Sequence, residues 1–191
     1  MTVIPTEIPD VMILQPKVHA DSRGHFFESF NHAAFEAATG IRTRFIQDNE
    51  SMSHRGVVRG LHFQLAPHAQ SKIVRVTGGR VIDVAVDIRR GSPWFGRYVA
   101  VELSADNRRQ LFIPRGFAHG FAVMSDEAVV QYKCDSQYAP EAEGGIAWND
   151  PALGIDWGVE ESEALLSPKD MQRPTLQQCA ELFDYNTDYY A

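Results

Sequence analysis

The segment Arg59-Gly60-Leu61-His62-Phe63-Gln64, followed by Gln70-Ser71-Lys72, places titratable side chains inside sequence that otherwise reads as buried strand. A strand that hides one face among Val, Leu and Phe has little reason to carry His and Lys unless they line a pocket. From Lys72 to Thr77, the period of two groups Lys72 with Val74 and Val76, and Ile73 with Arg75 and Thr77. Lys72 therefore shares a face with apolar side chains, either as a pocket cation or as a lysine whose stem is buried while its head reaches water. In Val129-Val130-Gln131-Tyr132-Lys133-Cys134 the same alternation turns Val130, Tyr132 and Cys134 inward. Taken alone, Tyr132 reads as core packing with a hydroxyl that needs a partner.

These residues need a scaffold, and the middle of the chain supplies short strands punctuated by turns, the pattern of an all-β sandwich or barrel. Ser71 to Thr77 and Arg80 to Ile88 read as a pair joined at Gly78-Gly79, where glycine tolerates the positive φ of a hairpin turn. Further strands are expected over Arg97 to Leu103, Gln110 to Ile113, Phe117 to Met124 and Ala128 to Cys134. Helix is confined to the flanks. Asn31 can cap a segment to Thr39 that Gly40 ends, and Pro174-Thr175 can start another running through Phe183. Pro140 to Asp170 reads mostly as loop, and a loop that long in a compact domain is functional or packed over something.

With 191 residues and 44% hydrophobic content, the chain can bury one sizeable core, and one domain is expected. Its subdivisions are an N-terminal arm over about 1–50, a β core over about 51–140 and a C-terminal loop and helix segment over about 141–191. A net charge of −7 argues against nucleic-acid binding, which rests on a cationic surface, but leaves room for a small anionic ligand held by a local group of Arg and Lys. No apolar run is long enough to span a bilayer, and Met1-Thr2-Val3-Ile4-Pro5 lacks the pattern of a leader, so a cytoplasmic protein without membrane contact is expected. Cys134 and Cys179 stand in unrelated contexts and read as small buried apolar residues rather than a disulfide or zinc site.

Several ordered motifs then point to one family. Asp21-Ser22-Arg23-Gly24-His25-Phe26-Phe27-Glu28, Gln47-Asp48-Asn49, Arg59 to Gln64, Gln70-Ser71-Lys72, Asp83-Val84-Ala85-Val86-Asp87, Ile113 to Phe121, Gly144 to Pro151 and Leu166-Ser167-Pro168-Lys169-Asp170 resemble, in order, the dTDP-4-dehydrorhamnose 3,5-epimerases. The match runs from about Pro16 to Pro174. Trp94 and Gly158 depart from common family residues, but neither stands at a position expected to do chemistry.

The resemblance implies a cupin-like jelly roll with short flanking helices and an enzyme that inverts C3 and C5 beside a C4 ketone in the route to dTDP-L-rhamnose. Such a reaction needs a base on one face of the sugar, an acid on the other and a group that stabilises the enolate oxygen. The resemblance assigns His62 as base, Tyr132 as acid, Lys72 as the charge near the C4 oxygen and Asp170 as the carboxylate holding the histidine. No redox change occurs, so no cofactor is expected. It further assigns substrate binding to Arg23, Phe26, Glu28, Gln47, Asp48, Asn49, Arg59, His119, Glu143 and Lys169, and the choice of double inversion to Tyr138. It also implies a homodimer in which the N-terminal arm, with Arg23 and Glu28, crosses into the partner's site. Arg59 and His62 are three positions apart and would face opposite ways on a regular strand. A bulge near Gly60, or an interface role for Arg59, would reconcile them.

Pro114-x-Gly116-x-x-His119 also resembles the second motif of metal-binding cupins. Their first motif carries a closely spaced His-x-His, whereas this chain has His62-Phe63-Gln64, which leaves too few ligands for a tight metal site. His19, His25, His32, His54 and His68 stand in polar or loop-like contexts and read as surface or structural residues. The rival readings are a metal-dependent cupin enzyme, a binding module that lost its chemistry, and a single-centre epimerase acting on a related deoxysugar.

Overall fold

A computed structural model describes residues 1–190. The N-terminal strands are β1 (Thr2–Pro5), β2 (Met12–Gln15), β3 (His19–Asp21) and β4 (Gly24–Phe26), followed by helix α1 (His32–Thr39). The central strands are β5 (Gln47–His54), β6 (Val58–Gln64), β7 (Lys72–Gly78), β8 (Arg80–Asp87), β9 (Arg89–Arg90), β10 (Tyr98–Ser104), β11 (Gln110–Ile113), β12 (Phe117–Val123) and β13 (Glu127–Cys134). Two short strands, β14 (Glu143–Gly145) and β15 (Phe183–Asp184), complete the set.

A six-stranded sheet in the order β1-β2-β11-β7-β13-β5 faces a five-stranded sheet in the order β10-β8-β12-β6-β14, with antiparallel pairing in both. This is the cupin-like jelly roll. Val74, Val76 and Val130 from the first sheet meet Val81, Ala85, Val101, Phe117 and Phe121 from the second, so burial follows the alternation of each strand. The outer face of the five-stranded sheet is also covered. Val84, Val86, Ala118 and Ala122 pack there against Ile146, Trp148, Trp157, Leu176 and Phe183 from the C-terminal third, which explains why β12 is buried along its whole length.

Helix α1 has the expected bounds. Asn31 accepts from the Ala34 N–H, Gly40 closes it at φ 73°, and Phe35 anchors it on Leu14, Ile73 and Phe112 of the six-stranded sheet. Within the arm expected over about 1–50, β1 and β2 are therefore integral to that sheet, α1 packs on it, and only β3–β4 forms a separate two-stranded ribbon.

Two expectations need correction. Strands β7 and β8 do not form a hairpin, because they lie in different sheets and the chain crosses the sandwich at Gly78-Gly79. Gly79 sits at φ 72°, and a Cβ there would stand 2.0 Å from the Glu127 carbonyl oxygen, so the crossing needs glycine for close approach as well as for backbone angle. The second expected helix, Pro174 to Phe183, is only a 3-10 turn over Leu176–Gln178. Thr175 and Gln178 cap it reciprocally, and the chain then extends so that Phe183 can bury in β15. Among the described residues no helix is long and apolar enough to cross a membrane.

Candidate active site

A cavity of about 720 Å³ opens between the two sheets. Strand β6 and its neighbours supply one wall, with Arg59, His62, His119 and Glu143. Strands β5, β7 and β13 supply the opposite wall, with Gln47, Asn49, Lys72 and Tyr132, while Tyr138, Lys169 and Asp170 come from the connecting segments. Eleven of the expected site residues thus meet in one place.

The bulge on β6 makes this possible. Opposite β12, His62 pairs with His119 and Arg59 with Phe121, so three steps along one strand match two along the other. The extra residue lies at Gly60-Leu61. Gly60 adopts φ 127°, and a Cβ there would come within 2.6 Å of the Gly120 Cα. Arg59 and His62 can then face the same cavity.

His62 Nε2 lies 2.5 Å from the Asp170 Oδ1. Asp170 is buried and opens a 3-10 turn, Asp170–Gln172, where the Ser167 hydroxyl oxygen accepts from its backbone N–H at 3.1 Å. Burial alone would raise the Asp170 carboxyl, but the hydrogen bond and charge of His62, with Ser167 and Arg173, hold it below the usual carboxylate range. An anionic Asp170 accepts a hydrogen bond from Nε2–H and leaves Nδ1 as the basic nitrogen of a neutral ring.

Lys72 has its Nζ 5.9 Å from the centre of the Tyr132 ring. Burial pushes its ammonium below the ordinary lysine value, and Asp83 and Glu143 offset this in part. Burial likewise raises the Tyr132 phenol, against a smaller opposing pull from Arg59. Among the described residues, nothing hydrogen-bonds the Tyr132 hydroxyl. A neutral phenol facing a cavity without a protein partner is equipped to hold and donate a proton to a ligand.

At the cavity's lip Glu143 accepts from Tyr138 at 2.7 Å, pairs with Lys169 at 2.6 Å and also meets Arg173. Burial opposes the Glu143 charge, but Lys169, Tyr138 and Arg173 outweigh it and hold the carboxyl at about 2. His119 directs Nε2 to both oxygens of the fully buried Asp83, at 3.0 and 3.2 Å. His62 and His119 thus each face their own carboxylate, and among the described residues no three potential ligands converge on a metal position.

Four expected residues lie elsewhere. Asp48 alternates with Gln47 and Asn49, points to the outer face of the six-stranded sheet and pairs with Lys133 at 2.8 Å, so it does not join this cavity. Arg23 and Phe26 lie on or beside the exposed β3–β4 ribbon, where Arg23 pairs with Asp21, and Glu28 accepts from Asn31. The alternation along β8 does place Asp83 inward between Val81 and Ala85, although no site role is expected for it from sequence. Cys134, buried as expected, also reaches the cavity wall, where burial raises its thiol to about 11. Cys179 is buried too. Nothing local in the sequence marks Arg173 as part of the arrangement.

Comparison with known proteins agrees with this geometry. Residues 5–178 match the family model described as dTDP-4-dehydrorhamnose 3,5-epimerase. The chain is 56% identical over 171 residues to the dTDP-4-dehydrorhamnose 3,5-epimerase of Shigella flexneri, which spans 90% of this chain and 93% of that protein. It is 54% identical over 182 residues to the enzyme of the same name from Escherichia coli K12, across 95% and 98% of the two chains. Among solved structures, the dTDP-6-deoxy-D-glucose-3,5-epimerase of Legionella pneumophila, in complex with dTDP-4-keto-L-rhamnose, superposes with a TM-score of 0.93. Its identity is 47%, over 97% of this chain and 99% of that one. With fold, cavity and sequence in agreement over nearly its whole length, the chain belongs to the dTDP-4-dehydrorhamnose 3,5-epimerase family.

Proposed function

We propose that the protein inverts C3 and C5 of dTDP-4-dehydro-6-deoxy-D-glucose to give dTDP-4-dehydro-L-rhamnose, in dTDP-L-rhamnose biosynthesis. One observation carries this reading: the His62–Asp170 pair and the Tyr132 hydroxyl face one cavity from opposite sheets, with Lys72 beside the tyrosine. An epimerase must remove a proton from one face of a carbon and return one to the other, and opposing walls meet that need.

His62 Nδ1 takes the proton from a carbon next to the ketone, and the electron pair moves onto the C4 oxygen as an enolate. Lys72 stabilises that oxygen, while Asp170 stabilises the imidazolium that forms. Tyr132 then protonates the carbon from the other sheet. His62 must lose its proton and Tyr132 regain one before the second carbon reacts, so solvent exchange accompanies each inversion. No electron leaves the substrate, and no redox cofactor enters the chemistry.

Arg59 and Lys169 suit the diphosphate, and Gln47, Asn49, His119 and Glu143 are assigned to the sugar nucleotide with them, with Tyr138 at the rim. Arg23, Phe26 and Glu28 are assigned to the nucleotide in the partner's site. The support is that β3–β4 stands apart from both sheets and leaves Phe26 71% exposed, on a ribbon that a second copy of the chain could cover. A single cytoplasmic domain remains the reading of chain size and composition.

The test is proton NMR of the purified protein with dTDP-4-keto-6-deoxyglucose in deuterated water. Deuterium at both C3 and C5, with inverted couplings at both, is expected. Inversion at one carbon alone would make the protein a single-centre epimerase, and no exchange at either would refute the reading.

A further inference from the structure

We propose that Arg173 is a positioning residue for this reaction, clamping the turn that carries Asp170 onto β14 and so setting the carboxylate against His62. The inference rests on the reading of His62–Asp170 as the basic pair.

Asp170 and His62 are 108 positions apart, and a hydrogen bond of 2.5 Å between them needs both backbones fixed. The His62 side is secured by strand pairing, since Gly145 of β14 is its register partner. The Asp170 side is a single 3-10 turn, which has little rigidity of its own. Arg173 follows that turn, and its Nη2 donates to the Glu143 Oε1 on the same short strand β14. Both side chains are nearly buried, at 13% and 12% exposure. Lys169 meets the same carboxylate, but it is 57% exposed, and water screens such a pair.

Gly145 provides the second, independent sign. Its backbone does not adopt a positive φ, so conformation alone does not call for glycine. A Cβ there would instead stand 2.5 Å from the Arg173 Nε and 2.7 Å from its Cζ. The missing side chain is the seat of the guanidinium. Arg173 therefore lies against the residue paired with His62 while its Nη2 donates to Glu143 two positions away. Its charge also favours the ionised form of Asp170.

The experiment compares Arg173→Met, Arg173→Lys, Gly145→Ala and Asp170→Asn by steady-state kinetics, dTDP titration of active sites and substrate deuterated at C3 and C5. Misplacing the dyad should lower kcat on the order of 10- to 100-fold in Arg173→Met, with KM little changed. Arg173→Lys should recover part of this, because it keeps the charge but loses the planar guanidinium that fills the space over Gly145. Gly145→Ala should lower kcat in the same direction without altering any charge. In each impaired variant the deuterium isotope effect on kcat should equal or exceed that of wild type, because proton removal has been slowed. A fall in kcat that only tracks lost dTDP-binding sites would overturn the clamp and leave a purely structural role. So would wild-type turnover in both Arg173→Met and Gly145→Ala while Asp170→Asn is impaired. Full activity in Asp170→Asn would instead bring down the underlying dyad.

Discussion

His62 and Tyr132 line one cavity from strands of opposite sheets, β6 and β13, so the two groups face that cavity from different sides. The sandwich itself supplies the two-sided arrangement that the proposed inversion requires.

Lys72 should set the alkaline limit of activity. Burial lowers the Lys72 ammonium below the ordinary lysine value and raises the Tyr132 phenol, so a rise in pH finds the lysine's proton easier to remove than usual and the phenol's harder. The cation is the form that stabilises an enolate, and kcat should therefore fall at a pH below the usual lysine range. Lys72→Arg should move this limb to higher pH, whatever its effect on the maximum, and Lys72→Met should lower kcat on the order of 10²-fold. An alkaline limb unmoved in Lys72→Arg would show that another group titrates there.

Glu143 should stabilise the fold in a defined pH window. Its folded carboxyl is held at about 2 against an ordinary 4.5, so the ionised form is favoured by folding. For a depressed carboxyl, the contribution is fully present above about 4.5 and is lost as pH falls through about 2. The Tm difference between wild type and Glu143→Gln should be constant from neutrality down to the upper value, then shrink to nothing toward the lower one. Thermal melts across that range check it, and a difference that grows on acidification would contradict the assignment.

The exposed Phe26 should matter only in the assembled protein. Light scattering at micromolar concentration is expected to give twice the chain mass, with an interface of obligate size. Phe26→Asp should raise KM about tenfold, through lost contact with the nucleotide across the interface, and leave the melting of the chain nearly unchanged. A fully active monomer would rule out the exchanged arm.

Features set by neighbouring residues were the most legible in the sequence. The Asn31 cap, the Gly40 stop and the span of β11 are all local, and the structure places them where the residues indicate. Gly78-Gly79 shows why partner choice is harder. Turn residues show that a chain changes direction but not whether it pairs with itself or crosses to another sheet. The segment after Pro174 has a helix start, yet burial of Phe183 outweighs helix propensity and extends the chain.

Within the site, Lys72 and Tyr132 follow from alternation, and the same rule turns Asp48 to the outer face, out of phase with Gln47 and Asn49. Arg59 beside His62 requires a bulge, which Gly60 permits but does not announce. Arg173 meets Glu143 and Gly145 only through the folding of a long loop, and no short-range pattern records that meeting.

The most direct measurement is solvent deuterium incorporation at C3 and C5, followed by NMR for wild type, His62→Ala and Tyr132→Phe. With the base removed, His62→Ala should show neither inversion nor exchange at either carbon. Tyr132→Phe keeps the base, so it should lose inversion at one or both carbons yet retain exchange, because a proton taken by His62 can return to the same face. Exchange in His62→Ala at the wild-type rate on both carbons would contradict the assignment of His62 as the base.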